Sequence, residues 1–237
     1  MIKAIVLDKD GTLIKLGQTW DKPSVDVTEY FLEQADMTYE EKAAFRLHMG
    51  VDGNKILPNS LFAAGSIEDQ AKEFMKISSK SQEEIETYLE NVYLEYVQGH
   101  SEHVQMMEGA VDALEALKNK YILAVVTNDN YRIAVETLRL AGLDGYFEFI
   151  GGADDFGPKP NPAALFEIAK RYNIQLDEMV YVGDSTVDIA YGKHTRGSIG
   201  FALEESHLEH LSEADVIISH FDQLVGAIDK LESKDNN

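Results

Sequence analysis

Ile2-Lys3-Ala4-Ile5-Val6-Leu7-Asp8-Lys9-Asp10-Gly11-Thr12-Leu13 is the stretch on which the reading of the fold turns. A short apolar run stops at Asp8, and a polar, glycine-containing turn follows. Such a run reads as a buried strand of a parallel sheet. Five more runs of this kind lie downstream, at Tyr121–Val126, Phe147–Ile150, Met179–Val182, Gly197–Phe201 and Val216–Ile218. Helical patterns separate them. Val111–Lys118 places Val111, Leu114 and Leu117 on one face, and Ile133–Leu140 and Ala163–Tyr172 behave similarly. Strand and helix therefore alternate from about residue 105 onward, which is the pattern of a doubly wound α/β parallel sheet.

The stretch after the first run is different. Between residues 14 and 105 no convincing strand is found, and Val25–Gln34, Glu40–His48, Ile67–Ile77 and Gln82–Val97 look helical. The simplest architecture is an α-helical domain, 15–104, inserted into an α/β core made of 1–14 and 105–237. The polar tail Glu232–Asn237 is expected to fray.

Composition narrows the function. Over 237 residues the net charge is -21, so polyanionic nucleic acid is excluded as an expected partner. An anionic substrate would have to be drawn in by a local positive group or a metal. The chain has no cysteine, which removes disulfides, thiolate chemistry and Cys-type zinc sites. No apolar run approaches membrane length, so a cytoplasmic protein without membrane attachment is expected.

Ligands of open α/β sheets bind at the carboxyl ends of the strands. After the first strand come Asp8, Lys9, Asp10, Gly11 and Thr12. After the second come Thr127 and Asn128, and after the fourth Gly183, Asp184, Ser185 and Asp188. Gly157-Pro158-Lys159-Pro160 precedes the helix led by Pro162. Taken alone, each piece has a plainer reading: DxD as a turn, Thr-Asn as a turn, Asp184 as a helix N-cap. Together they make a cluster of carboxylates with hydroxyl and amide donors and one lysine. Clustered carboxylates repel one another, and a divalent cation relieves that repulsion. An all-oxygen donor set favours magnesium over zinc or copper. A carboxylate can also act as a nucleophile toward phosphorus.

These residues resemble the haloacid dehalogenase superfamily across the whole chain. Its first motif reads here as Asp8-Lys9-Asp10-Gly11-Thr12-Leu13, and its second as Thr127 at a strand end. The third motif is Lys159 ahead of a helix, and the fourth is Gly183-Asp184-Ser185-Thr186-Val187-Asp188. A helical cap between the first two motifs is similar to the phosphoglycolate phosphatase-like branch. The resemblance implies a Mg2+-dependent phosphatase acting on a small-molecule phosphate ester, as a monomer or homodimer. In that reading Asp8 attacks phosphorus, and Asp10 protonates the leaving oxygen and then activates water. Asp8, Asp10 and Asp184 hold the metal, with Asp188 supporting it or orienting Lys159. Thr127, Asn128, Gly11 and Thr12 bind the phosphoryl group, and Lys159 neutralises charge. A phosphosugar mutase-type phosphotransferase is the alternative. A phosphonate hydrolase is disfavoured, because Asp10 is intact and Lys55, after His48-Met49-Gly50, is displaced from where that branch carries its cap lysine.

Three departures from the family pattern bear on the substrate: Lys9 in the first motif, the stretch 14–20, and the bulky residues after Asp188. In the cap, Trp20, Arg46, His48 and Lys55 are candidate specificity residues, and the Gly50–Gly53 turn a candidate substrate loop.

Overall fold

Strand β1, Ala4–Leu7, is fully buried and pairs on both sides, so it forms the spine of the molecule. A computed structural model describes residues 1–233; residues 234–237 of the polar tail lie outside the described residues. After β1 the chain leaves the sheet and builds five helices: α1 Leu16–Gln34, α2 Tyr39–Met49, α3 Leu61–Ala64, α4 Ile67–Phe74 and α5 Gln82–Gly99. A small antiparallel hairpin, β2 Val51–Asp52 and β3 Lys55–Ile56, sits among them. The sequence reading found no strand there, because two-residue strands are too short to show alternation. What makes the hairpin is left-handed backbone at Gly50 and Gly53, with φ of 93° and 56°.

Local chemistry starts most of these helices. Thr38 with Glu41, Ser66 with Asp69, and Ser81 with Glu84 form reciprocal capping boxes at α2, α4 and α5. Helix α1 is the exception. It begins nine residues before the expected Val25, with no side-chain cap and with Pro23 inside it. Gly17 and Pro23 weaken the local signal, and burial of Trp20, Val27 and Phe31 overrides it. Phe31 stacks on Phe74 at 4.3 Å between ring centroids, tying α1 to α4.

The chain then returns through α6 Ala110–Leu117 to β4 Ile122–Val126, α7 Tyr131–Leu140 and β5 Phe149–Gly151. It continues with α8 Ala153–Phe156, α9 Ala163–Tyr172, β6 Met179–Gly183, α10 Thr186–Gly192, β7 Ser198–Phe201, β8 Val216–Ile218 and α11 Leu224–Ser233. Six strands form one parallel sheet in the order β5-β4-β1-β6-β7-β8. Helices cover both faces, as expected for a doubly wound α/β fold. Alternation along β1 shows it: Ala4 and Val6 pack with Leu165 and Ile168 of α9, while Ile5 and Leu7 join the core that includes Leu114 and Ile228. Within the tail, Glu232 accepts the backbone N–H of Ile2 at 2.7 Å, so α11 is anchored to the start of the chain. Among the described residues no helix is long and apolar enough to cross a membrane.

Candidate active site

Because β1 lies between β4 and β6, Leu7 is in register with Val125 on one side and Val182 on the other. The residues just past these three strand ends are therefore neighbours. Asp8 follows β1, Thr127 follows β4, and Asp184 follows β6. The Asp8 N–H donates to the Val182 carbonyl at 2.8 Å, which fixes where the chain turns out of the sheet. The turn then closes on itself, with the Leu13 and Ile14 N–H groups donating to the Lys9 carbonyl. Gly11 has φ of 84°, and a Cβ there would fall 2.1 Å from Asp184 Oδ2. Only glycine permits the first loop to approach Asp184 this closely.

Lys159 lies at the centre of the site. Its Nζ donates to Asp8 Oδ1 at 2.5 Å, Asp188 Oδ1 at 2.7 Å and the Tyr181 hydroxyl at 3.0 Å. Burial alone would favour the neutral amine, but the Asp188 and Asp8 carboxylates outweigh it and hold the ammonium's pKa above its ordinary value. Asp188 is spoken for on both oxygens. Its Oδ2 accepts from the Ser185 N–H at 3.0 Å and the Ser185 hydroxyl at 2.6 Å. Ser185, not Asp184, is thus the N-cap of α10, with Asp188 as its capping-box partner. That arrangement leaves Asp184 free of a capping role. Asp184 accepts a hydrogen bond from the Thr12 hydroxyl at 3.2 Å.

Asp8, Asp184 and Asp188 each offer a carboxylate oxygen, and these atoms lie within 4.8 Å of one another. Burial raises the pKa of Asp8 to about 7, with Lys159 opposing and Asp188 adding to the rise. Burial, then Asp188 and Asp8, push Asp184 well above the usual carboxylate range. Three carboxylates so close together with one shared ammonium form a group in need of more positive charge. The donor set is all oxygen, so the residues present fit a hard divalent cation.

The second carboxylate of the first motif has separate partners. Asp10 accepts from Trp20 Nε1 at 2.7 Å and pairs with Lys9. Lys9, which is fully buried, also lies 2.8 Å from Asp129 Oδ2 and stands over the Trp20 ring. The ion-paired carboxylates raise the Lys9 pKa in spite of its burial. Burial pushes Asp129 up to about 6. Asn128 spans two elements: its Oδ1 accepts the Lys159 N–H at 2.7 Å, and its Nδ2 donates to the Ala64 carbonyl at 2.6 Å.

The structure brings Asp8, Asp10, Thr127, Asn128, Lys159, Asp184 and Asp188 to one narrow cleft. Gly11 and Thr12, expected to bind the phosphoryl group, do not line it: Gly11 faces Asp184 from a neighbouring cavity, and Thr12 is fully buried and spends its hydroxyl on Asp184. Of the four specificity candidates only Trp20 lines the cleft. Arg46 pairs with Glu29 and donates to the Gly53 carbonyl at 2.7 Å, so it and the Gly50–Gly53 turn lie elsewhere. His48 bonds Glu73 at 2.7 Å, and Lys55 lines, with Lys15, the same neighbouring cavity, which meets the cleft at Leu16 and Asp184. Sequence reading missed Tyr181, Ser24, Gln70, Tyr93 and Asp129, all of which line the cleft or support it. Tyr181 sits inside an apolar run and passes for strand filler. Asp129 directly follows Thr127-Asn128, and that adjacency was the available signal.

Comparison with known proteins gives a consistent picture. Residues 2–194 match the family model described as haloacid dehalogenase-like hydrolase. The chain is 26% identical over 225 residues to a phosphoglycolate phosphatase of Mesorhizobium japonicum, covering 93% of this chain and 92% of the other. It is 26% identical over 216 residues to the pyrophosphatase PpaX of Listeria innocua, covering 90% and 88%. Among solved structures, the β-phosphoglucomutase of Clostridium difficile superposes with a TM-score of 0.72 over 100% of both chains at 16% identity, a likeness of fold.

Proposed function

We propose that this chain, which belongs to the haloacid dehalogenase-like hydrolase family, is a magnesium-dependent phosphatase that cleaves small phosphomonoesters through a phosphoryl group carried on Asp8. The observation that carries the reading is the placement of Lys159 Nζ, 2.5 Å from Asp8 Oδ1, beside a carboxylate triad at the ends of adjacent strands. The relatives named phosphoglycolate phosphatase and pyrophosphatase support hydrolysis of phosphorus–oxygen bonds.

The residues divide the work as follows. Lys159 holds Asp8 through Oδ1 and leaves Oδ2 to attack phosphorus in line. A bond forms between that oxygen and phosphorus while the bond to the leaving oxygen breaks. Asp10, fixed by Trp20 and Lys9, delivers a proton to the leaving oxygen. It then takes one from the water that releases phosphate and restores Asp8. Thr127 and the backbone N–H groups after Asp8 and Thr127 hydrogen-bond the phosphoryl oxygens. Asp188 and Tyr181 keep the Lys159 ammonium charged and aimed. Asp8, the Asp10 carbonyl and Asp184 would hold Mg2+, which supplies charge neutralisation to the transferring phosphoryl group.

Residues 15–104 serve in this reading as a cap over a core of 1–14 and 105–237. The two connecting strands lie side by side, with Ile14 bridged to Met106 and the Lys15 N–H on the Gln105 carbonyl at 2.8 Å. Adjacent connections of that kind suit a hinge. The cap touches the core where Asn128 meets Ala64 and where Thr186 donates to Asn59 Oδ1 at 2.8 Å. Closure would exclude water from the phosphoryl group.

The test is phosphate release from a panel of small phosphomonoesters, with Mg2+ and with excess chelator, for wild type and Asp8→Asn. Release that needs Mg2+ and is lost in the variant supports the reading; equal release by the variant overturns it. The likeness of fold to a β-phosphoglucomutase favours one second reading, phosphoryl return to a bound sugar. Exchange between phosphosugar isomers without free phosphate would select it.

A further inference from the structure

The charges around the cleft restrict what can be attached to the phosphate. The inserted helices contribute Trp20, Ser24, Phe62, Gln70 and Tyr93 to its wall, and among the described residues no basic side chain of that segment lines it. Four cations of the segment are paired away from the cleft. Arg46 pairs with Glu29, Lys22 with Asp26 at 2.7 Å, Lys72 with Glu68 at 2.7 Å, and Lys76 with Glu73 at 2.6 Å. Lys15 and Lys55 line the neighbouring cavity, which meets the cleft at Leu16 and Asp184 but places neither lysine on the cleft wall.

The core side offers no spare cation either. Among the described residues Lys159 is the one basic residue on the wall, and Asp8 and Asp188 already surround it. Lys9 is buried behind the wall and committed to Asp10 and Asp129. Asp10 and Asp129 themselves line the cleft. Any ion held by Asp8 and Asp184 is matched by the phosphoryl oxygens. A second anionic group on the substrate would therefore be desolvated without a cationic partner, facing carboxylates.

What the wall does offer is neutral hydrogen bonding. The Tyr93 hydroxyl donates to Gln70 Oε1 at 2.7 Å, which orients the amide and leaves its NH2 as a donor. The Ser24 hydroxyl lies in the same wall, and Trp20 packs edge-on to Tyr93 at 5.6 Å. These are groups that recognise hydroxyls and carbonyls beside a small apolar surface.

We propose that the cleft selects monophosphates of uncharged, hydroxyl-bearing alcohols and discriminates against esters whose leaving group carries a carboxylate or a second phosphate. This rests on the phosphatase reading above and narrows it. It also separates this chain from relatives whose names point to phosphoglycolate or pyrophosphate.

Matched pairs of esters test it. 2-Hydroxyethyl phosphate and phosphoglycolate differ only by a CH2OH in place of a carboxylate, as do glycerol 3-phosphate and 3-phosphoglycerate. With Mg2+, and p-nitrophenyl phosphate as a control for the class, kcat/KM should favour the neutral member of each pair by about 10-fold or more, the scale of an unrelieved like-charge contact. Gln70→Lys, which places a cation on the wall, should shift that ratio toward the carboxylated member, chiefly through KM. Equal or faster turnover of the carboxylated esters overturns the inference while leaving a phosphatase. Cleavage of the aryl ester alone also overturns it. Failure on all five esters removes the phosphatase reading and the inference with it.

Discussion

The side-chain amide of Asn128 donates to the Ala64 carbonyl at 2.6 Å, across the gap between the inserted helices and the sheet. The same side chain accepts the backbone N–H of Lys159 at 2.7 Å, so one residue joins the inserted helices to the loop that carries the lysine. Asn128→Ala removes both bonds. Loss of alignment of this kind costs on the order of 100-fold, so kcat/KM should fall by about 10- to 100-fold. Hydrogen exchange should quicken in 62–65. Unchanged kinetics together with unchanged exchange would mean that the bond plays no part in holding the inserted helices to the site.

Lys159 is buried between two carboxylates, and its loss should affect stability as well as turnover. Lys159→Ala leaves Asp8 and Asp188 facing each other without a counter-charge. Breaking a buried pair in this way typically costs about 3–5 kcal/mol. Turnover should drop by about 100- to 1000-fold, as when a preorganised charge is removed from a transition state. Urea denaturation and steady-state assay check the two effects. Asp188→Asn should partly restore the stability of Lys159→Ala, because it removes one of the two stranded charges, but it should not restore turnover.

How much of this was legible in the chain itself differs between core and cap. All six strands of the main sheet lie where the apolar runs place them, because strands buried on both faces need continuous runs that few other elements need. The residues at their ends could be picked out for the same reason. The cap was legible only as helices. Its wall residues Ser24, Gln70 and Tyr93 come from three different helices, and their meeting depends on packing that no local pattern encodes. Polar cap residues drew attention as candidates, yet Arg46 pairs with neighbouring Glu29 and His48 hydrogen-bonds Glu73. The start of α1 was missed because Pro23 and Gly17 argue against helix locally, while Trp20 and Phe31 fix it through burial.

Asp184 provides a prediction whose two halves have opposite signs. Without a cation, Asp8, Asp184 and Asp188 repel one another in a buried setting. Asp184→Asn removes one charge and keeps the shape, so the metal-free protein should melt at the same or a higher temperature than wild type. Magnesium should raise the melting temperature of wild type, because a ligand at 100 times its Kd adds about 2.7 kcal/mol. That rise should largely disappear in the variant. An equal rise in both proteins would move the cation away from Asp184.

Gly11 permits contact between the first loop and Asp184, and Gly11→Ala tests that contact. The backbone there has φ of 84°, and the added Cβ would meet Asp184 Oδ2 at 2.1 Å. Strain in that region costs about 1–3 kcal/mol, and Asp184 has to move as well. Stability should fall by about that amount, and magnesium should bind more weakly, which isothermal titration reads without any substrate. Gly53→Ala is the control, since its Cβ meets nothing within 4 Å although φ is 56°. It should lose some stability and leave magnesium binding alone.

Lys9 departs from the family pattern, and the structure gives it a role in holding Asp10. The lysine is fully buried, pairs with Asp10 and Asp129, and has the Trp20 ring 5.2 Å from its Nζ. Lys9→Met keeps the volume and removes the charge, which leaves two carboxylates in contact with a low-dielectric wall. The expected loss is about 3–5 kcal/mol, with a fall in kcat because Asp10 is then fixed by Trp20 alone. Asp129→Asn by itself removes one of two anions from a single ammonium and should cost less. Combining the two should not add their costs: once Lys9 is gone, neutralising Asp129 relieves repulsion instead of breaking a pair. A double-mutant cycle should therefore give a coupling of about 1–3 kcal/mol. Strict additivity would show that Asp129 does not share the lysine, and Lys9 would then act on Asp10 alone. The kcat of the double variant separates the remaining possibilities, since restored stability with depressed kcat identifies Lys9 as a positioning residue for Asp10 beyond its part in folding.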